Sequence, residues 1–550
     1  MRTHVVANVV PAPLGLHVLR ADTALTEAVD RWVAPQDPEG AVELDTLGEL
    51  AGTPDVRAWA DQADRYTPVL RTHDPTGERA DEVEYHPAYH RLLEVAVGSG
   101  LTAQAWTRPP GTGAHARRAA GFLVWSQVEA GHLCPVSMTY AAAPVLAAEP
   151  GLAARWLPGL AARVYDPVLR PAADKAGLLV GMGMTEKQGG SDVRANTTSA
   201  VPDPGGPLVG DTFRLTGHKW FCSAPMSDAF LVLAQTEAGT GCFLLPRVLD
   251  DGTRNEVRVQ RLKDKLGNRS NAPSEIELDE AWAVRVGDEG RGIRTILDMV
   301  TSTRLDCVVG SAATMRAALV RAVHHARHRR AFGALLVHQP LMRNVLADLA
   351  LESEAATVLA LRLAHAVDAG ERDLVRLGVA LGKFWVCKRA APMVAEALEC
   401  LGGNGYVEEN GLARLYREAP LNSIWEGSGN VNALDVVRAV TREPASLAAL
   451  DKEISPARGH DHVLDAAIDE CRTASAVALG TDAAWSARRL VERLALTLQA
   501  TLLVRHSPGP VADAFVASRL GGDRGVTFGT LGSSVGPDAV SLLLERALPA

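Results

Sequence analysis

Ser423-Ile424-Trp425-Glu426-Gly427-Ser428-Gly429-Asn430 sets one carboxylate between a bulky indole and two glycines, late in a helical stretch. Desolvation beside Trp425 pushes a carboxyl toward the neutral range, which suits a general base that must remove a weakly acidic C–H proton. Gly427 and Gly429 carry no side chain, so a flat ligand can approach the backbone there. A single Glu in such a setting more often ends a helix at the surface, and the rest of the chain has to decide.

At 550 residues the chain is long enough for several cores. Hydrophobic residues make up 47% and charged residues 22%, with an Ala and Leu bias that leans helical. The net charge of −9 opposes non-specific attraction to nucleic acid or anionic membrane, so either partner needs a local basic patch. The seven cysteines (Cys134, Cys222, Cys242, Cys307, Cys387, Cys400 and Cys471) are dispersed and never take zinc-site spacing. Reduced, buried thiols and no metal centre are expected. Val9-Val10 is broken by Pro11 and Pro13, and no run of about 18 apolar residues follows, which predicts a cytoplasmic protein without a membrane span.

Apolar residues at helical spacing over 24–33, 89–97 and 121–152 predict an N-terminal helical domain, residues 1–180. His86, His90, Glu129 and His132 within it are expected to cap helices or face solvent. Over 181–290 the runs Phe230-Leu231-Val232-Leu233, Cys242-Phe243-Leu244-Leu245, Val257-Arg258-Val259 and Glu275-Ile276-Glu277-Leu278 predict a small antiparallel β domain. The polar loop that opens it, residues 184–192, offers hydroxyls and N–H groups to a carbonyl or phosphate. A helical bundle is expected over 291–441, with one apolar stripe through Val345, Leu349, Ala356, Leu359, Leu363 and Val367. A linker flanked by Pro444 and Pro456 would then lead into an additional helical module, 442–550. That module carries 11 Lys and Arg against 13 Asp and Glu, so it is no basic tail.

Five separated blocks together resemble the acyl-CoA dehydrogenase family of flavoproteins. Thr185-Glu186-Lys187-Gln188-Gly189-Gly190-Ser191-Asp192 is similar to the family's T-E-x-x-x-G-S-D loop, and Gly217-His218-Lys219-Trp220-Phe221-Cys222-Ser223 to its G-x-K-x-W-I-[TS] strand. Arg329-Arg330-Ala331-Phe332-Gly333 resembles R-x-x-F-G, and Leu401-Gly402-Gly403-Asn404-Gly405-Tyr406 resembles L-G-G-x-G-Y. The block from Tyr416 to Ser428 resembles the one that ends in the family's catalytic glutamate. Met182 to Val193, Leu262 to Asn271 and Asn422 to Asn430 further resemble one branch, the flavoproteins of the bacterial response to DNA alkylation.

The resemblance implies an α+β, mostly α fold of N-terminal helical domain, middle β domain and C-terminal bundle. It implies FAD as cofactor, with Met184, Thr185, Ser191, Phe221 and Ser223 around the isoalloxazine and ribityl chain. Arg329, Phe332 and Gln339 would reach the pyrophosphate and adenine side, with Gly402, Gly403 and Ser428 completing the site. It also implies α,β-dehydrogenation of an acyl-CoA thioester with Glu426 as base. In some members the base precedes an Arg that matches Arg304; here that residue is Thr303, which cannot serve. Phe221 replaces the usual Trp and Glu399 a common Gln, so weak turnover is implied as well. The family resemblance further implies a homotetramer, and the branch implies an alternative role, DNA binding that protects against alkylation. Arg438 and Arg519 are the candidate contacts to double-stranded DNA.

Overall fold

The structure, a computed structural model, describes residues 3–13, 15–203 and 211–549. They form two compact units: Asp55–Pro109 with Val128–Thr303, and Met1–Pro54 with Pro110–Gln127 and Arg304–Ala550. The expected N-terminal domain is therefore shared between the two. The reason is the helix Ala114–Ser126, which is buried along its whole length. Asp368 accepts the N–H groups of His115 (2.8 Å) and Ala116 (2.7 Å), capping that helix from within the bundle.

In the first unit a hairpin, β1 (Val69–His73) and β2 (Arg79–Glu84), interrupts the expected run of helices. The run over 121–152 also breaks, into Ala114–Ser126, Leu133–Ala147 and the start of Pro150–Leu160. The main sheet has seven strands: β3 (Val180–Gly183), β4 (Ser199–Pro202), β5 (Thr212–Cys222), β6 (Ala229–Thr236), β7 (Gly239–Pro246), β8 (Val257–Leu262) and β9 (Ser274–Val286). Their order is β3-β6-β4-β5-β9-β7 with β8 on β9, and β6 also pairs with β7, so five strands close into a ring. Most pairings are antiparallel as expected, but β3 and β4 each run parallel to β6. Phe213, Leu215, Phe230, Val232, Phe243, Leu245, Ile276 and Leu278 form a buried core of this sheet. β6 is buried continuously from Ala229 to Ala234, the mark of a strand covered on both faces.

The second unit is built on long helices: the part of Gly292–His328 from Arg304 onward, Pro340–Asp368, Arg372–Glu399 and Ala483–His506. Pro340–Asp368 is buried almost all round from Leu346 to Leu363, not along one stripe, because neighbours pack against it from several sides. Charges it carries inward are paired: Asp348 and Glu352 with Arg519, Glu354 with Arg546, and Arg362 with Glu453. No linker follows residue 441. Pro444 starts the helix Pro444–Ile454, where its missing N–H costs nothing, and that helix packs on Arg372–Glu399. All seven cysteines are buried. Among the described residues no helix is long and apolar enough to cross a membrane.

Candidate active site

Glu426 lies in a tight turn between the short helical turn Leu421–Ser423 and the helix Gly429–Arg442. Its φ is +58°, in the left-handed region, and Gly427 follows at +96°. A glutamate pays about 1–2 kcal/mol to stay there, so the surroundings must impose the conformation. Three groups do so. Arg304 Nε donates to the Glu426 carbonyl (2.9 Å) while its Nη1 pairs with Asp435 (2.8 Å), which Arg376 also holds (2.9 Å). Asn432 Nδ2 donates to the Gly427 carbonyl (2.6 Å). Lys383 Nζ donates to the Asn422 carbonyl, and the Trp425 indole donates to Asn422 Oδ1 (2.8 Å). A Cβ at position 427 would sit 3.0 Å from Val431 Cγ1 and 3.3 Å from Arg304 Nη2, a tight fit added to the cost of its positive φ. Glu426 itself is half-buried. Thr303 is buried, and its hydroxyl bonds the Val300 carbonyl of its own helix.

Arg329, Phe332 and Gln339 come together on one small hairpin of the bundle unit. Arg330–Ala331 pairs with Ala334–Leu335, and the two residues between them, Phe332 and Gly333, both have positive φ, +51° and +83°. That is the geometry of a two-residue primed turn, which sets the Phe332 ring wholly in the open. Arg329 spends one donor on the Asn8 carbonyl (2.6 Å), and Gln339 Nε2 bonds the Ala331 carbonyl (3.1 Å). Gly402 (φ +59°) and Gly403 follow the C-terminus of Arg372–Glu399, and no atom lies within 4 Å of where their Cβ atoms would be. Ser428 is exposed, and its side chain makes no capping bond to Gly429–Arg442. Glu399 is exposed at the surface.

The loop that carries Met184, Thr185 and Ser191 is joined by two direct bonds within the sheet unit to the strand that holds Phe221 and leads to Ser223. Trp220 N–H donates to the Thr185 carbonyl (2.8 Å), and Lys187 N–H donates to His218 Nε2 (3.0 Å). The β5–β9 register slips between Lys219 and Cys222, and such a bulge re-aims the side chains it carries. Phe221 is accordingly 49% exposed while Cys222 points inward, and Ser223 is half-buried. Lys263 Nζ stands 3.2 Å from the Trp220 ring centroid and 4.7 Å from that of Phe221.

The loop is braced by a pair that sequence reasoning assigned no role. Glu186 and Lys219 are fully buried, with Oε1 and Nζ 2.8 Å apart. Glu186 also accepts from Thr197 N (2.7 Å), Thr198 Oγ1 (2.6 Å) and Gln188 Nε2 (2.8 Å); Lys219 also donates to the Leu233 carbonyl (2.7 Å). Burial by itself would raise the Glu186 carboxyl, but Lys219 and these donors hold it well below the usual carboxylate range.

Three other expectations resolve in different ways. His86 caps Pro87–Gly98, its Nδ1 accepting from Ala88 N at 3.2 Å, and His90 is half-buried with Nδ1 2.8 Å from the Tyr165 hydroxyl. Glu129 and His132 do not face solvent: they are buried, Oε2 and Nδ1 2.9 Å apart, with Ser270 donating to Glu129 (2.9 Å). Arg438 is exposed, its side chain at 60%. Arg519 cannot meet a phosphate, because its guanidinium is buried between Asp348 (2.5 Å) and Glu352 (3.0 Å).

An aromatic surface beside hydroxyls, an arginine with donors to spare and side-chain-free glycines fit the parts of FAD. The comparisons point the same way. Residues 8–167 match the adaptive response protein AidB N-terminal domain, 181–281 the acyl-CoA dehydrogenase middle domain and 290–441 its C-terminal domain. AidB of Escherichia coli (strain K12) is 46% identical over 473 residues, 85% of this chain and 86% of that protein. Acyl-CoA dehydrogenase family member 11 of Caenorhabditis elegans is 31% identical over 80% of this chain and 73% of its own. The crystal structure of ACDH-11 from C. elegans with C11-CoA superposes with a TM-score of 0.84, at 26% identity, over 99% of this chain and 93% of that one. An FAD complex of acyl-CoA dehydrogenase from Bacillus anthracis shares the fold, with a TM-score of 0.68 at 16% identity over 94% and 93% of the two chains.

Proposed function

Since this chain belongs to the acyl-CoA dehydrogenase family and is an FAD-dependent enzyme of that type, we propose that it removes the α and β hydrogens of an acyl-CoA thioester with Glu426 as the base. FAD, when bound, takes up the hydride that leaves the β-carbon. Glu426 takes the α-proton on its carboxylate, the electron pair of that C–H bond becomes the new C=C bond, and the product is the 2-enoyl thioester. Arg304 and Lys383 act on the backbone of the turn and so fix where the carboxylate can reach. Thr185, Ser191 and Ser223 supply hydroxyls, Met184 and Phe221 apolar contact, for the ring and ribityl chain. Arg329, Phe332, Gln339, Gly402, Gly403 and Ser428 serve the nucleotide end, where the loss of a guanidinium would be felt most.

The observation that carries this reading is the left-handed backbone of Glu426, held by Arg304 and followed by a glycine that cannot be replaced freely. The test is Glu426→Gln. The variant is expected to purify yellow with bound FAD and to lose bleaching of the flavin by C11-CoA, the thioester held by the nematode relative, on anaerobic mixing. Bleaching at the unmutated rate would remove Glu426 from the mechanism.

A second reading is DNA binding. It is favoured by Arg438 and Arg442, exposed four residues apart on Gly429–Arg442, and it no longer includes Arg519. Assembly into a homotetramer is supported by the bare side chains of Phe332, Leu341 and Tyr406.

A further inference from the structure

Lys383 is 1% exposed, on the buried helix Arg372–Glu399. No carboxylate comes within ion-pair distance of its Nζ among the described residues, and its one hydrogen bond is to the Asn422 carbonyl. A buried ammonium without a counter-charge is costly and is kept where it acts on something nearby. Asn422 begins the turn that ends in Glu426, and its own side chain holds Trp425. The buried thiol of Cys307, pushed up chiefly by burial, lies within electrostatic reach of both Lys383 and Glu426.

The other charged groups around the turn are already satisfied or lie at its far end. Arg304 and Arg376 share Asp435, and Arg376 also meets Glu443. Asp306 is bound to Arg118. Cys307 and Cys387 are buried thiols raised by desolvation. Lys388 and Arg488 stand beside Gly429.

We propose that Lys383 is a positioning residue for Glu426: it anchors the Asn422 end of the turn and supplies the buried positive charge that favours the ionised carboxylate. This rests on Glu426 being the base. In Lys383→Gln an N–H remains for the Asn422 carbonyl but the charge is gone; in Lys383→Met both are gone.

FAD-loaded protein carrying either substitution is mixed anaerobically with C11-CoA between about pH 5.5 and about pH 9, and the bleaching rate is followed. A nearby cation lowers a carboxyl, so its removal is expected to move the acid limb of the profile up by about one pH unit in both variants. An acid limb that stays in place in both would overturn the proposal. Thermal unfolding supplies a readout that does not need turnover. The drop in Tm caused by Lys383→Met is expected to shrink when Glu426 is also Gln, because the buried charge then has no carboxylate charge left to act on. Strictly additive drops would overturn the coupling. If Glu426→Gln alone leaves bleaching intact, the base assignment falls, and this thermal cycle still decides whether Lys383 works on position 426.

Discussion

Lys219 occupies a position that the alternation of its strand reserves for the core. Counting by twos from Phe213 through Leu215 and Gly217 lands on Lys219 facing inward, and Glu186 is there to meet it. Removing one partner of a buried pair strands the other, so Lys219→Met is expected to cost about 3–5 kcal/mol near neutral pH, read by chemical denaturation. The sign with pH follows. In the native protein the Glu186 carboxyl is held low, so its contribution is present above the unfolded carboxylate range and is lost as pH falls through the folded value. In the variant, burial without a cation raises it, and the penalty should shrink on acidification as Glu186 becomes protonated. The inward face of Lys219 could be read by counting alone; its partner Glu186, 33 positions away, could not. What fixes Glu426 was not legible either, because Arg304 lies 122 positions from Glu426 and Lys383 lies 39 positions from Asn422 along the chain. Arg519 misled for the same reason: an arginine in a surface-looking segment gives no sign that two carboxylates of another helix enclose it.

Elements were readable where a pattern was local. The four apolar runs of the middle region all fall within strands, and the residues from Val345 to Val367 all fall within one helix, Pro340–Asp368. The failures came from context. Pro444 and Pro456 look like linker residues, yet Pro444 is a helix start whose value depends on the helix it packs against. The 69–84 hairpin was overlooked because its strands, Val-Leu-Arg-Thr-His and Arg-Ala-Asp-Glu-Val-Glu, are short and polar. The hairpin that presents Phe332 breaks a local rule, since a phenylalanine sits where Asn or Gly would be at ease. Phe332→Asn is therefore expected to raise the Tm of the FAD-free protein, by an amount equivalent to about 1 kcal/mol, while FAD is lost more readily on dilution. A variant less stable than the parent would mean that the turn is held by contacts the ring itself makes.

For the whole chain, the order of helical, β and helical regions was legible, whereas the way one stretch serves two units was not. Residues 110–127 belong with the bundle because Asp368 caps them and the long helix covers them, a relation between positions some 250 apart. The overall charge of −9 also sets how a DNA-binding reading must behave. Attraction to phosphates would have to come from a few exposed arginines against an unfavourable background. Binding to duplex DNA should then fall by about an order of magnitude for each few-fold rise in salt, and Arg438→Ala should flatten that dependence. Affinity indifferent to salt would argue against phosphate contact. Burial of the cysteines matters in either role. The thiolate is the form of cysteine that attacks electrophiles, and burial pushes the thiols of Cys222, Cys242 and Cys400 up to about 12 and that of Cys471 to about 11. At neutral pH these four sulfurs stay protonated, and a protonated thiol is a poor nucleophile toward any electrophile that reaches it.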